Sequence, residues 1–266
     1  MTLTRIAAAT LLALTAGGAF AQAAAAPKSD WTLTGNAGLF SDYRFRGFSQ
    51  TGYRPAFQGG FDVSHSSGFY VGNWNSNVEQ GLYNGASLEM DFYGGYKRAF
   101  GDFGIDVGAL YYYYPNSGSL GTTRIRNGEL YVGGSWKFLS VKYYHAVTKF
   151  FSLGEATATT PDINTKNSWY LDVSAAYDLG DGWAVQGHYG HQRIRNGPSL
   201  YAYGAIFTNT GSVDDYKLGV SKDFGGWVVG AAVVGTSKKD VFRTARSGFT
   251  DGAGKTSAVV SLSKSF

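Results

Sequence analysis

The 266-residue chain has no cysteine, five prolines and 38 glycines; aromatic residues make up 16% of it, and 19 of those are tyrosine. Without cysteine there is no disulfide scaffold, no thiolate zinc site and no cysteine nucleophile. A net charge of +4 gives no electrostatic case for a nucleic-acid partner, and a hydrophobic fraction of 44% is not that of a helical membrane bundle. Glycine at about twice its ordinary usage, together with many aromatics, points to an all-β chain.

Residues 1–21 read MTLTRIAAATLLALTAGGAFA, with Arg5 as the only charge, an Ala/Leu-rich run and a small-x-small ending at Ala19-Phe20-Ala21. This is the pattern of a secretory signal peptide, and the run is too short for a spanning helix. Cleavage after Ala21 removes Arg5 and lowers the net charge to +3. Residues 22–30 form a short N-terminal segment expected in the periplasm.

From Trp31 onwards the chain alternates with period two, the signature of strands with two unlike faces. In the first, Trp31, Leu33, Leu39, Tyr43 and Phe45 share the apolar side, and Thr32, Thr34, Asp42, Arg44 and Arg46 the polar one. Twelve strands follow from this rhythm, near 31–47, 54–65, 68–77, 86–98, 102–114, 127–137, 139–149, 167–178, 182–193, 213–223, 226–236 and 256–266. Most run to about ten residues or more, the length that crosses a bilayer when tilted.

The connections alternate between very short ones, such as Ser66-Ser67, Phe138 and Gly225, and longer polar ones, 48–53, 78–85, 115–126, 150–166, 194–212 and 237–255. Tight turns on one side and long loops on the other are the layout of a transmembrane, antiparallel, up-and-down β-barrel of the outer-membrane type, here spanning 31–266. Aromatics near the short turns (Trp31, Phe69, Trp136, Trp183, Trp227) and near the long loops (Tyr43, Phe45, Tyr111 to Tyr114, Tyr143, Tyr144, Trp169) suggest two interfacial girdles. Phe266 ends an amphipathic last strand and resembles the signal read by the barrel-assembly machinery of Gram-negative bacteria.

If the apolar face meets lipid, the polar face lines the interior, because charges facing lipid are costly. The candidates for lining and selecting are Asp42, Arg44, Arg46, Gln58, Asp62, Glu89, Asp91, Lys97, Lys142 and His188. Arg44 and Arg46 have two readings. Their guanidinium forks could attract carboxylates or phosphates of anionic solutes, or could pair with Asp42, Asp62, Glu89 and Asp91 and only hold the barrel together. The basic stretches KKDVFRTAR (238–246) and RIR (124–126, 193–195) offer contacts for lipopolysaccharide.

The elements SDYRFRG-x-SQT, PA-x-QGG-x-D, GFY-x-G-x-W-x-SNV and E-x-D-x-Y-x-GY, between residues 34 and 96, resemble the TorF-type porin family of proteobacteria, once catalogued as a domain of unknown function. The resemblance implies an outer-membrane location and a pore. It carries over no catalytic residues and no substrate. Loops with TATTPDINT and NGPSLYAYGAIFTNTGS are where departure from relatives is expected.

The leading function is a channel for passive diffusion of small hydrophilic solutes or ions, with anions favoured by the inward arginines. Two alternatives stand beside it. One is a non-conducting structural or adhesive barrel; the other is a lipid-acting enzyme, for which a histidine would need a serine beside it at the outer leaflet. His145 and His191 face outward there without such a serine, so no enzyme is expected. No cofactor, metal or nucleic acid is expected either. Outer-membrane lipids and lipopolysaccharide are the expected surroundings, and no residue marks a subunit face.

Overall fold

The structure, a computed structural model, describes residues 29–119, 123–157, 161–202, 211–240 and 252–266. The signal segment, all of 22–28, and residues 241–246 of the basic 238–246 stretch lie outside the described residues.

Twelve strands build the wall: β1 Trp31–Phe40, β2 Ala56–His65, β3 Phe69–Asn77, β4 Leu88–Phe100, β5 Phe103–Tyr113, β6 Arg126–Trp136, β7 Leu139–Ala146, β8 Trp169–Gly180, β9 Trp183–Arg193, β10 Ser212–Asp223, β11 Trp227–Thr236 and β12 Ser257–Ser265. Each pairs antiparallel with the next, and β12 pairs with β1 to close the barrel. At the seam, Gly35 and Phe266 exchange backbone hydrogen bonds of 2.7 and 2.9 Å. The Phe266 ring lies on Gly35 so closely that a Cβ there would sit 2.6 Å from it, which is why the position takes glycine. Among the tight turns, Asp181 and Gly182 both have positive φ, 50° and 79°, the conformation that lets two residues join twisted strands.

Alternation decides the faces. Leu33, Phe57, Phe61, Val71, Val132 and Leu218 are exposed on the outside, while Trp74, Ser76, Glu89, Asp91, Asn127, Glu129 and Asp172 are buried within. The apolar belt therefore faces lipid and the polar set faces the interior, as expected from the cost of lipid-facing charge.

Two strand ends differ from expectation. The first strand stops at Phe40 rather than near 47, and residues 41–55 turn into the lumen as a small hairpin, Arg44–Phe45 paired with Phe48–Ser49. Positive φ at Arg46 (45°) and Gly47 (80°) makes the reversal. Tyr43 and Phe45 therefore do not share the lipid face with Leu39; Tyr43 is buried inside and Phe45 packs against Tyr112 and Phe151. The seventh strand stops at Ala146, and the chain enters a single 3-10 turn, Phe150–Ser152, whose Phe150 is buried. Every other strand end moves by two residues or fewer.

The two clusters of buried apolar groups are consequently inside the barrel, at its long-loop end. One cluster joins Phe48, Phe150, Ile163, Ile194, Leu200 and Val213 across three connections and one strand; a second joins Tyr43, Trp74, Val78, Tyr83, Tyr112 and Tyr114.

Candidate functional site: the hairpin across the lumen

In a closed ring of twelve, β6 and β9 stand on the far side from β1 and β2. The hairpin between β1 and β2 reaches both. Arg46 donates through Nη2 to Glu129 Oε2 on β6 at 2.7 Å and through Nη1 to Gln192 Oε1 on β9. Its guanidinium lies 4.2 Å from the Tyr170 ring centre and 4.8 Å from that of Phe45, with Tyr144 and Phe150 also facing it. Burial works against the charge, and the Glu129 carboxylate more than offsets it, so the pKa is pushed above the ordinary arginine value.

Arg44 secures the base of the hairpin. It pairs with Asp42, donates to the Gly47 carbonyl at 2.8 Å and the Lys255 carbonyl at 3.0 Å, and reaches the Ser257 hydroxyl on β12. Asp42 also accepts from Ser49 Oγ at 2.6 Å and Thr51 Oγ1 at 3.0 Å. On the near wall, the Tyr43 hydroxyl donates to Glu89 Oε1 and the Tyr114 hydroxyl to Glu89 Oε2, both at 2.7 Å. Tyr83, stacked on Tyr114, donates to Gln50 in the connection between β1 and β2. Burial, then the neighbouring Glu89 charge, pushes the phenols of Tyr43, Tyr83 and Tyr114 well above their ordinary range, so all three remain protonated donors.

The other candidates line the wall singly. Gln58 and Asp62 face inward on β2, with the Tyr93 hydroxyl donating to Asp62 at 2.7 Å. Asp91 is buried beside Trp74 and its Oδ1 has no hydrogen-bond partner. Lys142 on β7 donates to Asp106 Oδ2 at 2.6 Å beneath the Tyr131 ring. Lys97 sits exposed over the Tyr70 ring at the short-turn end. His188 is wedged between Asp215 (2.9 Å) and Asp172 (3.4 Å), with Ser174 at 3.0 Å. Sequence reasoning thus found the inward charges; the hairpin brings Asp42, Arg44, Arg46 and Glu89 together, and leaves Gln58, Asp62, Lys97, Lys142 and His188 on the wall.

The inward tyrosines were not among the candidates. Tyr111 and Tyr113 belong to the outer belt as expected, but Tyr112 and Tyr114 point inside, as do Tyr144 and Tyr170. Their alternation along 111–114 was the available signal. Gln192 and Asp215 were missed as well, since neither stands out until the hairpin and His188 are in place.

A model of the family described as "Bacterial protein of unknown function (Gcw_chp)" matches residues 24–266. The chain belongs to that family. Among curated proteins nothing matches. Among solved structures, the barrel is similar to the NanC porin, with 10% identity, a TM-score of 0.54 and coverage of 88% of this chain and 99% of that one. It is likewise similar to the KdgM porin, with 10% identity, a TM-score of 0.51 and coverage of 88% and 98%. At such identity the likeness concerns the fold: a porin-type, outer-membrane barrel spanning nearly the whole of each chain.

Proposed function

We propose that this Gcw_chp protein is an outer-membrane channel for passive diffusion of small hydrophilic solutes, constricted by the hairpin between β1 and β2. The observation that carries this reading is a polar interior, shut off from lipid, that narrows where Arg46 bridges to Glu129 and Gln192. The TorF-type motifs between 34 and 96 support it. In this reading residues 1–21 direct export, Phe266 is offered to the assembly machinery, and the long loops meet lipopolysaccharide.

The charge arrangement argues against a strong anion preference. Arg44, Arg46 and Lys142 are each tied to a carboxylate, Asp42, Glu129 and Asp106. Glu89 is held by tyrosines, and Asp91 has no cationic partner among the described residues. Glu89 and Asp91 are themselves buried, and Lys217 faces the interior from β10, so the lining offers no strong excess of either sign to a passing ion.

Planar-bilayer recording of the refolded mature chain under a potassium chloride gradient tests both points. Small, stable steps with a reversal potential near zero are expected. Folded, heat-modifiable protein that passes no current would overturn the channel and leave a structural barrel. An anion-leaning potential lost in the Arg44→Ala/Arg46→Ala variant would restore the solute-facing role of the arginines.

A further inference from the structure

One strip of the outer wall breaks the rule that lipid-facing positions are apolar. On β3 the outward positions run Phe69, Val71, Asn73, Asn75, Asn77, while Gly72, Trp74 and Ser76 face inside. Register gives their depth. A strand rises about 3.3 Å per residue, and at a tilt of about 45° this is roughly 2.3 Å of depth per residue. Counting from the Phe69 girdle, Asn73 and Asn75 stand roughly 9 and 14 Å into an apolar band about 25 Å tall. Elsewhere among the described residues, the outward mid-strand positions are apolar, glycine or tyrosine, as in Leu171-Val173-Ala175 and Leu218-Val220.

Hydrocarbon offers nothing to a carboxamide, and polar side chains at this depth signal a partner. Asn75 Nδ2 spends its two hydrogens on Asn73 Oδ1 at 2.6 Å and the Gly59 carbonyl at 3.2 Å; Asn73 Nδ2 spends one on the Asp91 carbonyl at 3.0 Å. One donor hydrogen on Asn73 and the acceptor Asn75 Oδ1 are left over. The surroundings form a trough. Asn75 lies in a row with Gly59 and Ala37, and this low floor runs between the ring of Phe57 on one side and those of Phe61 and Phe266 on the other.

We propose that this strip, running from β3 across β2 to β1, is where a second copy of the chain packs within the membrane. A two-fold contact needs a patch that complements itself. This one holds a spare donor beside a spare acceptor, and a ridge of phenyl rings beside a trough that would receive a ring. Close approach over Gly59 and Ala37 lets the amides bond across the interface, the way small and polar residues join helices in lipid.

The chain contains no cysteine, so single introduced thiols report cleanly. Phe61→Cys lies on the strip and Leu218→Cys on the far wall; both native side chains are exposed to lipid. In native outer membranes treated with a bifunctional maleimide, Phe61→Cys is expected to give a product of twice the chain mass at least tenfold more abundantly than Leu218→Cys. Adding Asn73→Leu and Asn75→Leu is expected to cut that product at least fivefold, while heat-modifiability shows the barrel still folded. Phe57→Cys serves if Phe61→Cys does not fold. Equal products from both walls, no product from folded and thiol-reactive protein, or a product of another mass would overturn the proposal. The readout needs a folded barrel in the membrane and not conduction, so it stands or falls apart from the channel.

Discussion

Arg46→Ala is the sharpest perturbation of the lumen. The Arg46 and Glu129 side chains are 6% and 1% exposed, and their bond is 2.7 Å. Removing the guanidinium leaves Glu129 with the Tyr112 hydroxyl at 3.3 Å as its remaining donor. Breaking a buried pair from one side costs about 3–5 kcal/mol, which shifts the balance between hairpin seated and hairpin displaced by roughly two to four powers of ten. Single-channel recording should therefore show open probability raised at least tenfold, or a larger unit step. Arg54→Ala provides the contrast. Its pair with Glu79 is exposed on the arginine side, and such a pair contributes about 0–1 kcal/mol, so conduction should hardly change. Identical steps and open probability in wild type and Arg46→Ala would refute the idea that this residue holds the constriction.

Three further outcomes are expected. Gly35→Val forces the Phe266 ring off the seam and should lower the temperature of the heat-modifiability transition, whereas Gly187→Val, with open space around it, should not lower it through a steric clash. Asp91→Asn removes a buried carboxylate with an unpartnered oxygen, and is expected to be neutral or to stabilise by about 1–3 kcal/mol as read by the same transition; clear destabilisation would count against it. The phenols of Tyr43, Tyr83 and Tyr114 have pKa values raised by burial above the unfolded value of 10.0, so their contribution to folding is complete below that pH and is lost as pH climbs from there towards the raised values. Tyrosinate absorbance in detergent should thus show a fraction that ionises only on unfolding, smaller in Tyr43→Phe; full titration of all tyrosines in the folded barrel near pH 10 would contradict this.

The wall was legible because each strand must satisfy lipid on one side and polar groups on the other, and that requirement is written at every second residue. Leu33, Leu39, Glu89, Asp91 and Lys142 all fall where period two puts them. The hairpin was not legible for the same reason. Ser41 to Arg46 continue the alternation of β1, so Tyr43 and Phe45 read as lipid-facing, although a bend at Ser41-Asp42 takes the chain off the wall and sends them inside. Alternation reports which residues differ from their neighbours and not where the strand ends. Partners across the lumen, such as Glu129 and Gln192 for Arg46, lie 83 and 146 residues away, and no local pattern links them. The asparagines of β3 were visible as polar residues, but only the register showed that they stand among rings and glycines at mid-depth.

The hairpin also acts as a strut. Arg44 fastens one end to β12, Arg46 fastens the other to β6 and β9, and Tyr43 braces against β4. A hollow cylinder under lateral pressure flattens by ovalising, and a spoke fixed at several points around the rim resists that deformation. The cross-section of this barrel is therefore set by its filling as well as by strand number. The order of assembly is constrained too. A wall that closes on β1 and β12 must either enclose the strut or admit it through the open mouth, and the contacts that lock it to β6 and β9 can form only once those strands are in place.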